Sequence, residues 1–317
     1  MLICYNITHM TYDLIIIGGG PAGSAGAVYA ARKKLQTLII AEEFGGQSAV
    51  SAEIYNWIGT PTISGSDLAK SFENHIRQYE SKGLNIVSGS RVTSLSKDGD
   101  SFKITTNKDE SFTARSVLIT SGSSRRKIDI PGADKFENKG VVYCASCDGP
   151  LFSDMDVVVL GGGNAGFESA AQLLAYCKSV TLLHRNDHYK ADEITVEKVL
   201  ANPKMTGILN AQIQEIHGEA FVNGVTYLDT KSGETKKLDV SGVFVEIGQL
   251  PNTDFAKDIV KLDNINRIEI DPWHQTTSEP GIWAAGDATT VMYHQNNISA
   301  GDAVKAVEDL YLWLQMQ

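Results

Sequence analysis

The 317-residue chain lacks the features that mark membrane or nucleic-acid-binding proteins. Its longest apolar runs, such as 14–17 and 157–160, have the length of a strand, so we expect no transmembrane span. Lysine and arginine total 28 against 38 acidic residues, which gives a net charge of -10. This charge argues against a general basic surface for nucleic acid or anionic lipid.

Cysteine is also scarce, because Cys4, Cys144, Cys147 and Cys177 are too few for a disulfide scaffold. The first eleven residues lack the basic start and long apolar centre of a secretory signal. We therefore expect a cytoplasmic location, where a CxxC pair is more often catalytic or metal-binding than structural. Cys4 and Cys177 are interpreted as a terminal thiol and a core helix residue.

Two βαβ patterns organise a chain that is longer than one hydrophobic core usually serves. They predict an α/β protein with two Rossmann-like nucleotide-binding domains of the three-layer ββα type. Short strands are predicted between and after the two units, and a helix closes the chain at 301–317. The units are predicted at 12–17, 21–34 and 37–41, and again at 156–160, 164–177 and 179–183 (strand, helix and strand in each case).

A glycine-rich turn after the first strand has the spacing of a dinucleotide site. Gly18 permits the tight turn, Gly20 lets the backbone approach a pyrophosphate, and Gly23 lets helix pack on strand. Pro21 and Ala22 open the helix, whose free N–H groups attract phosphate. The turn predicts a bound dinucleotide, with a glycine-rich turn that holds no ligand as the alternative.

Acidic residues about twenty positions further on support this site. Glu42 or Glu43 is placed to accept hydrogen bonds from ribose hydroxyls, and the sequence does not decide between them. Gly46, Gln47 and Asn56 are weaker candidates for the cofactor site, since such residues also form ordinary turns.

A late strand that ends in Gly286-Asp287 indicates that the first dinucleotide is FAD. In flavoproteins such a strand brings an aspartate to the ribityl and pyrophosphate region, although Asp287 is alternatively a simple turn residue. The prediction is a discontinuous FAD domain of residues 1–122 and 249–317. Residues 123–248 form the predicted NAD(P)H domain.

The second glycine turn predicts a pyridine nucleotide site, since it has the same strand, glycine and helix context. Its predicted ligand-binding residues are Gly161, Gly163, Asn164, Ala165 and Gly166.

The residues after the next strand bear on the choice between NADPH and NADH. An acid is usual there in an NAD site, whereas this chain has His184, Arg185 and Lys190. Arg185 can contact a 2′-phosphate through two hydrogen bonds, and Lys190 adds a second charge. NADPH is therefore favoured and NADH remains a competitor, as does a purely solvated Arg185.

Cys144 and Cys147 lie between the two glycine turns, which is the strongest functional signal in the chain. A CxxC pair can form a short-loop disulfide, and its thiolate is the nucleophile of disulfide exchange. Asp148 is the adjacent candidate acid or base, although it alternatively caps the following turn. A zinc site is disfavoured, because two further ligands are missing, and no metal is predicted.

With these motifs in view, the chain resembles the low-molecular-weight thioredoxin reductase family from Tyr12 to its end. The shared segments are GGGPAG (18–23), GGQ (45–47), EIYNW (53–57), CASCDG (144–149), GGGNAG (161–166), HRN (184–186), AAGD (284–287) and YHQ (293–295). Others are closer to the flavoprotein subunit of alkyl hydroperoxide reductase, namely FGGQ (44–47), CDGPLF (147–152), KAD (190–192) and IGQLPNT (247–253). That subunit carries two further N-terminal thioredoxin-like folds, which we do not expect in this chain.

The resemblance implies FAD, a pyridine nucleotide, a homodimer and rotation between the two domains during turnover. It implies that Cys147 lies against the flavin while Cys144 attacks the substrate disulfide. It also implies that Gln295 lies by the flavin and that Asn56 and Gln47 line the cofactor path.

Two departures from the family pattern leave the nucleotide open. NADPH-dependent members usually carry two adjacent arginines after the histidine, and here Asn186 replaces the second. Lys190 replaces a third arginine, whereas the NADH-dependent relative carries an acid at the position of His184.

The leading hypothesis is an NADPH-dependent, flavin-dependent reductase of a separate thioredoxin-like or glutaredoxin-like protein, through the Cys144–Cys147 disulfide. One alternative is an NADH-dependent flavoprotein that feeds a peroxiredoxin system or acts as a peroxide-forming NAD(P)H oxidase. Another is a regulatory flavin-binding module whose dithiol senses redox state. No nucleic acid and no membrane partner are expected.

Overall fold

A computed structural model describes residues 10–51, 54–80 and 82–317 of the chain. The chain forms two compact units: unit 1 comprises residues up to Ser124 and from Leu250 onward, and unit 2 comprises Arg125–Gln249. The predicted domain boundaries lie one or two residues before these positions. No helix in the described ranges is both long and apolar enough to cross a membrane.

The helices and strands follow one another with short connections. In chain order they are β1 (Thr11–Gly19), α1 (Pro21–Arg32), β2 (Thr37–Phe44), α2 (Gly65–Arg77), β3 (Leu84–Ser88), β4 (Val92–Asp98), β5 (Ser101–Thr106), β6 (Ser111–Ile119), β7 (Ser123–Arg125), β8 (Val141–Val142), α3 (Ala145–Asp148), β9 (Asp156–Leu160), α4 (Asn164–Leu173), β10 (Ser179–Leu183), α5 (Glu193–Leu200), β11 (Met205–Ile208), β12 (Ala211–Gly218), β13 (Val222–Asp229), β14 (Thr235–Leu238), β15 (Gly242–Val245), β16 (Gln249–Pro251), β17 (Ile282–Ala284) and α6 (Asn296–Gln315).

Unit 1 is built on a sheet of order β3-β2-β1-β6-β5-β4, with β17 also paired to β6. β1 runs parallel to both β2 and β6, so its residues alternate between two buried faces. Leu14 and Ile16 pack with α1 and α6, whereas Ile15 and Ile17 pack with β4 and β5. This central strand therefore holds the first glycine turn between two cores.

Unit 2 has a parallel sheet of order β11-β10-β9-β15-β8 and an antiparallel sheet of order β12-β13-β14. Val157 and Val159 of β9 pack with α4, and Val158 and Leu160 pack with the antiparallel sheet. Helices thus cover one face of the parallel sheet and strands cover the other. These layers form the predicted three-layer ββα arrangement.

Two predicted helix bounds differ from the structure by four or five residues. The helix predicted at 164–177 ends at Leu173. After it, the N–H groups of Ala175 and Tyr176 bond to carbonyls three residues back instead of four, which closes a turn and ends the α-helix. The closing helix begins at Asn296 and not at 301, since a polar first turn hides its apolar periodicity. Cys4 and Glu53 lie outside the described residues.

Candidate functional site

The first glycine turn joins β1 to α1 and excludes side chains at two positions. Gly18 has φ +118°, and a Cβ there would collide with the carbonyl oxygen of Thr120. A Cβ at Gly23 would collide with the Gly18 carbonyl oxygen, so helix and strand approach closely. Within the described residues, no side chain caps the N-terminus of α1. Its N–H groups are therefore available to a phosphate.

This turn opens into a cavity of about 1040 Å³ inside unit 1. This volume lies at the upper end of the range of about 300–1,000 Å³ that small-molecule and cofactor sites occupy. The cavity brings together segments that are far apart in the sequence. Its lining includes the predicted FAD residues Gly18, Gly20, Pro21, Ala22, Glu42, Glu43, Gly46, Gln47, Gly286 and Asp287.

Asp287 reaches the cavity because β17 adds to the same sheet as β1. Ala284 of β17 is in register with Ile119 of β6, so the residues that follow arrive beside the glycine turn. Asp287 Oδ1 accepts a hydrogen bond of 3.4 Å from Ser299 Oγ at the start of α6. A side chain holds this aspartate at the cavity wall.

Glu42 and Glu43 both lie at the carboxyl end of β2 and are exposed at the cavity. Glu42 Oε2 lies 4.0 Å from Arg91 Nε, a residue of the same cavity that the sequence did not single out. Both glutamates therefore remain candidate ribose ligands.

Asn56 and Gln295 contact each other but do not contribute to the lining of this cavity within the described residues. Asn56 Nδ2 donates to Gln295 Oε1 over 3.2 Å, and Asn297 Nδ2 donates to the Asn56 carbonyl over 2.8 Å. The loop that carries Asn56 is thereby tied to the start of α6.

The second glycine turn, in unit 2, repeats the first. Gly161 has φ +129°, and a Cβ at Gly166 would collide with the Gly161 carbonyl oxygen. Gly163 precedes α4 with no side-chain cap from the part of the chain that is described, and Ala165 is exposed in the first turn. Asn164 Oδ1 accepts a 2.9 Å bond from the Asp192 N–H. This helix end is a second candidate phosphate site.

His184 forms a hydrogen bond to the backbone of this turn. Its ring is buried, and Nδ1 accepts a hydrogen bond of 3.0 Å from the Gly162 N–H. Burial, and then the charge of Lys190, lowers the pKa of His184, so the ring stays neutral with its proton on Nε2. The contact that His184 makes is with the turn, and a contact with nucleotide stays a prediction.

Arg185 and Lys190 are exposed, and neither charged group has an ion-pair partner among the residues described. The Lys190 N–H donates to the Gly162 carbonyl over 2.7 Å, and the Tyr189 ring packs edge-on against Phe167. The loop after β10 thus folds over the glycine turn and leaves two cations beside it.

Cys144 and Cys147 form a disulfide at the start of α3 in unit 2. Cys144 is the N-cap residue, and its Sγ accepts a hydrogen bond of 3.2 Å from the Cys147 N–H. Ser146 Oγ, between them, donates to Gln172 Oε1 of α4 over 2.6 Å. The helix that follows the second glycine turn therefore also holds the segment between the two cysteines. Both cysteines are partly exposed.

Asp148 follows the disulfide with a raised pKa. Burial raises the pKa of this carboxyl to about 6, and the charge of Arg125 opposes the rise. Asp148 precedes the turn Gly149–Phe152 but makes no capping hydrogen bond to it. The capping alternative is not what the structure has, and the carboxyl is available for proton transfer.

Sequence reasoning missed Arg125 and Glu246, which also belong to this region of unit 2. Burial raises the pKa of Glu246 to about 7, while its hydrogen bond from Ser169 lowers it. The available signal was an acid directly after the apolar strand β15. The contact with Ser169 spans 77 positions of sequence, so no local pattern reveals it.

A protein-family model described as pyridine nucleotide-disulphide oxidoreductase matches residues 12–301. The chain belongs to this family, and flavin and NAD(P)H are the cofactors that membership implies. The cavity of unit 1 and the two uncapped helix ends fit these cofactors.

Two solved structures of thioredoxin reductases are similar to this chain over nearly its whole length. A solved thioredoxin reductase from Streptococcus pyogenes is 34% identical, with a TM-score of 0.88, and the match covers 97% of this chain and 99% of that one. A thioredoxin reductase from Giardia duodenalis is 30% identical over 97% and 100% of the two chains, with a TM-score of 0.92.

The curated relatives are longer proteins. An "NADH dehydrogenase" of Bacillus subtilis is 39% identical over 93% of this chain and 57% of its own length. A subunit of alkyl hydroperoxide reductase in Xanthomonas campestris pv. phaseoli is 40% identical over 93% and 56%. The chain spans little more than half the length of these relatives.

Proposed function

We propose that this chain uses NADPH to reduce the disulfide of a separate thioredoxin-like or glutaredoxin-like protein. The observation that carries the proposal is the partly exposed Cys144–Cys147 disulfide, which lies beside an acid of raised pKa and is tied through Ser146 to the helix that follows the second glycine turn. A homodimer and a cytoplasmic location are part of the same proposal.

The candidate cofactor-binding residues form two separate sites, one in each unit. Gly18, Gly20 and the start of α1 would hold the FAD pyrophosphate, with Asp287 and one of the two glutamates on the sugar portions. The second turn would hold the pyridine nucleotide. When bound, the flavin accepts hydride from NADPH and supplies two electrons to the Cys144–Cys147 disulfide.

Reduction of that disulfide breaks one S–S bond and needs two electrons and two protons to give two thiols. Asp148 is placed to hold one of these protons, because a carboxyl with a pKa of about 6 is still partly protonated near neutral pH. The same carboxylate can later take a proton from a cysteine and so produce the attacking thiolate.

Exchange with the partner follows from ordinary thiol chemistry. The Cys144 thiolate attacks the partner's disulfide and forms a mixed disulfide, and one partner thiolate leaves. Cys147 then attacks Cys144, which re-forms the internal disulfide and releases the partner with two thiols. The assignment of Cys144 as the attacking residue rests on the resemblance to thioredoxin reductase.

A steady-state assay with a panel of thioredoxins and glutaredoxins tests this function. We expect NADPH-dependent reduction by the wild type and its loss in Cys144→Ser and Cys147→Ser. Cys177→Ala is the matched control, because Cys177 is a buried thiol whose pKa burial raises to about 11. Absence of disulfide reduction with either nucleotide would remove the proposal.

A second candidate is an NADH-dependent flavoprotein that feeds a peroxiredoxin or forms peroxide from oxygen. Its support is the 40% identity to an alkyl hydroperoxide reductase subunit and the 39% identity to an NADH dehydrogenase. Oxygen uptake separates the candidates, since oxidase turnover survives replacement of both Cys144 and Cys147 by serine and disulfide reduction does not.

A further inference from the structure

Glu246 occupies the switch point of the parallel sheet in unit 2. β9 lies between β10 and β15, so the strand order runs in opposite directions from it, and ligands bind at the carboxyl edge of such a point. Glu246 directly follows β15, and its N–H donates to the Leu160 carbonyl over 2.9 Å. A Cβ at Gly161 would collide with the Glu246 carbonyl oxygen. The residue therefore adjoins the second glycine turn.

The side chain of Glu246 is fixed and not simply solvated. Ser169 Oγ, from the buried face of α4, donates to Glu246 Oε1 over 2.6 Å. The charged groups that face the carboxyl are Arg125 from β7 and Glu168 from α4. One cation therefore faces two carboxyls here, because Arg125 also acts on Asp148.

The direction of a bound dinucleotide follows from the sheet order. Arg185 and Lys190 follow β10, which lies on one side of β9. There they would contact the 2′-phosphate on the adenosine ribose. A pyrophosphate at the start of α4 then leaves the nicotinamide half for the opposite side. That side is the end of β15, where Glu246 lies.

We propose that the Glu246 carboxylate is a charge partner of the nicotinamide ring that favours the oxidised over the reduced nucleotide. The inference rests on the proposed nucleotide site in unit 2. When the dihydronicotinamide ring gives up a hydride, two electrons and one proton leave together and the ring keeps one positive charge. A nearby carboxylate stabilises that charge and does nothing comparable for the neutral reduced ring.

The proposal predicts a pH dependence with a defined sign. Burial raises the pKa of Glu246 to about 7, so the group is neutral at pH 6 and ionised at pH 8.5. The preference for oxidised nucleotide therefore appears as pH rises. Ser169→Ala removes a hydrogen bond that lowers this pKa, so it should move the midpoint to higher pH.

Binding to the FAD-loaded protein can be measured with NADP⁺ and with 1,4,5,6-tetrahydro-NADP, whose ring is neutral and gives up no hydride. The ratio of the two dissociation constants cancels the shared 2′-phosphate and the contributions of His184, Arg185 and Lys190. In the wild type, we expect the preference for NADP⁺ to grow by about fivefold or more between pH 6 and pH 8.5. In Glu246→Gln it should stay at the wild-type value for pH 6.

Glu197→Gln on α5 is the control, because it removes an exposed carboxylate from the same unit and should leave the pH dependence intact. A pH-independent ratio in the wild type, or a midpoint that Ser169→Ala leaves in place, would overturn the inference about Glu246 alone. If neither nucleotide binds at any pH, the proposed nucleotide site itself is wrong. Should Glu246→Gln fold poorly, the Ser169→Ala midpoint still decides the question.

Discussion

Replacement of Arg185 by alanine should remove most of the proposed preference for NADPH over NADH. Arg185 and Lys190 flank the second glycine turn, and both are exposed without ion-pair partners in the described chain. A hydrogen bond to a charged group contributes about 1.5–3 kcal/mol, and exposure to solvent reduces this. We therefore assign about 1.4 kcal/mol to the contact between Arg185 and the 2′-phosphate, which corresponds to about a tenfold change in kcat/KM.

The assay is kcat/KM for flavin reduction or for disulfide turnover with each nucleotide. For Arg185→Ala, we expect about tenfold lower kcat/KM with NADPH and a change of less than about twofold with NADH, which has no 2′-phosphate. Added salt should weaken the NADPH reaction of the wild type more than the NADH reaction.

Lys198→Ala provides a matched loss of charge on α5 and should change neither reaction. Equal losses with both nucleotides would mean that Arg185 acts on the fold or on a shared phosphate. An unchanged NADPH reaction would mean that Arg185 is only a solvated surface charge.

Three further predictions follow from unit 2. Gly166→Ala should lower the melting temperature and weaken nucleotide binding, because its Cβ would collide with the Gly161 carbonyl. Gly163→Ala, whose Cβ meets no atom of the described residues within 4 Å, should leave the melting temperature unchanged. Asp148→Asn should slow disulfide reduction at pH 7 about 100-fold and remove an inflection near pH 6 from the pH–rate profile. The exposed control Asp154→Asn should do neither. Equal pH–rate profiles for Asp148→Asn and the wild type would contradict this. Burial raises the pKa of Glu246 from an ordinary 4.5 to about 7, so its contribution to stability is complete below pH 4 and is lost as pH rises through 7. Urea unfolding measures this: between pH 4.5 and pH 8, the free energy of unfolding of Glu246→Gln should rise by about 3 kcal/mol relative to that of the wild type. Parallel curves of unfolding free energy against pH for the two proteins would contradict this.

The elements nearest the glycine turns were predictable because their signals are local. A short apolar strand followed by spaced glycines predicted β1, β9 and both helix starts, and the collisions that a Cβ would cause at Gly23 and Gly166 give the reason for glycine there. The link from the late Gly-Asp segment to the first turn was also predicted, since Asp287 and Gly18 line one cavity.

The sequence did not predict the features of the site that depend on contacts between distant residues. His184 was expected beside the nucleotide, but whether its ring turns toward solvent or toward Gly162 depends on packing by Tyr189. The Glu246–Ser169 bond joins the end of β15 to the middle of α4 and has no sequence pattern. The early start of α6 was missed because a polar first turn carries no apolar periodicity.

In the proposed reaction, electrons from a pyridine nucleotide arrive at the Cys144–Cys147 pair. Thiol counting tests it most directly: FAD-loaded protein is treated anaerobically with excess NADPH, unfolded in acid and titrated with a thiol reagent. We predict about two new thiols per flavin-loaded wild-type chain and none in the Cys144→Ser/Cys147→Ser variant, with the flavin bleached in both. A wild-type flavin that bleaches while the thiol count stays constant would show that the electrons do not reach the two cysteines.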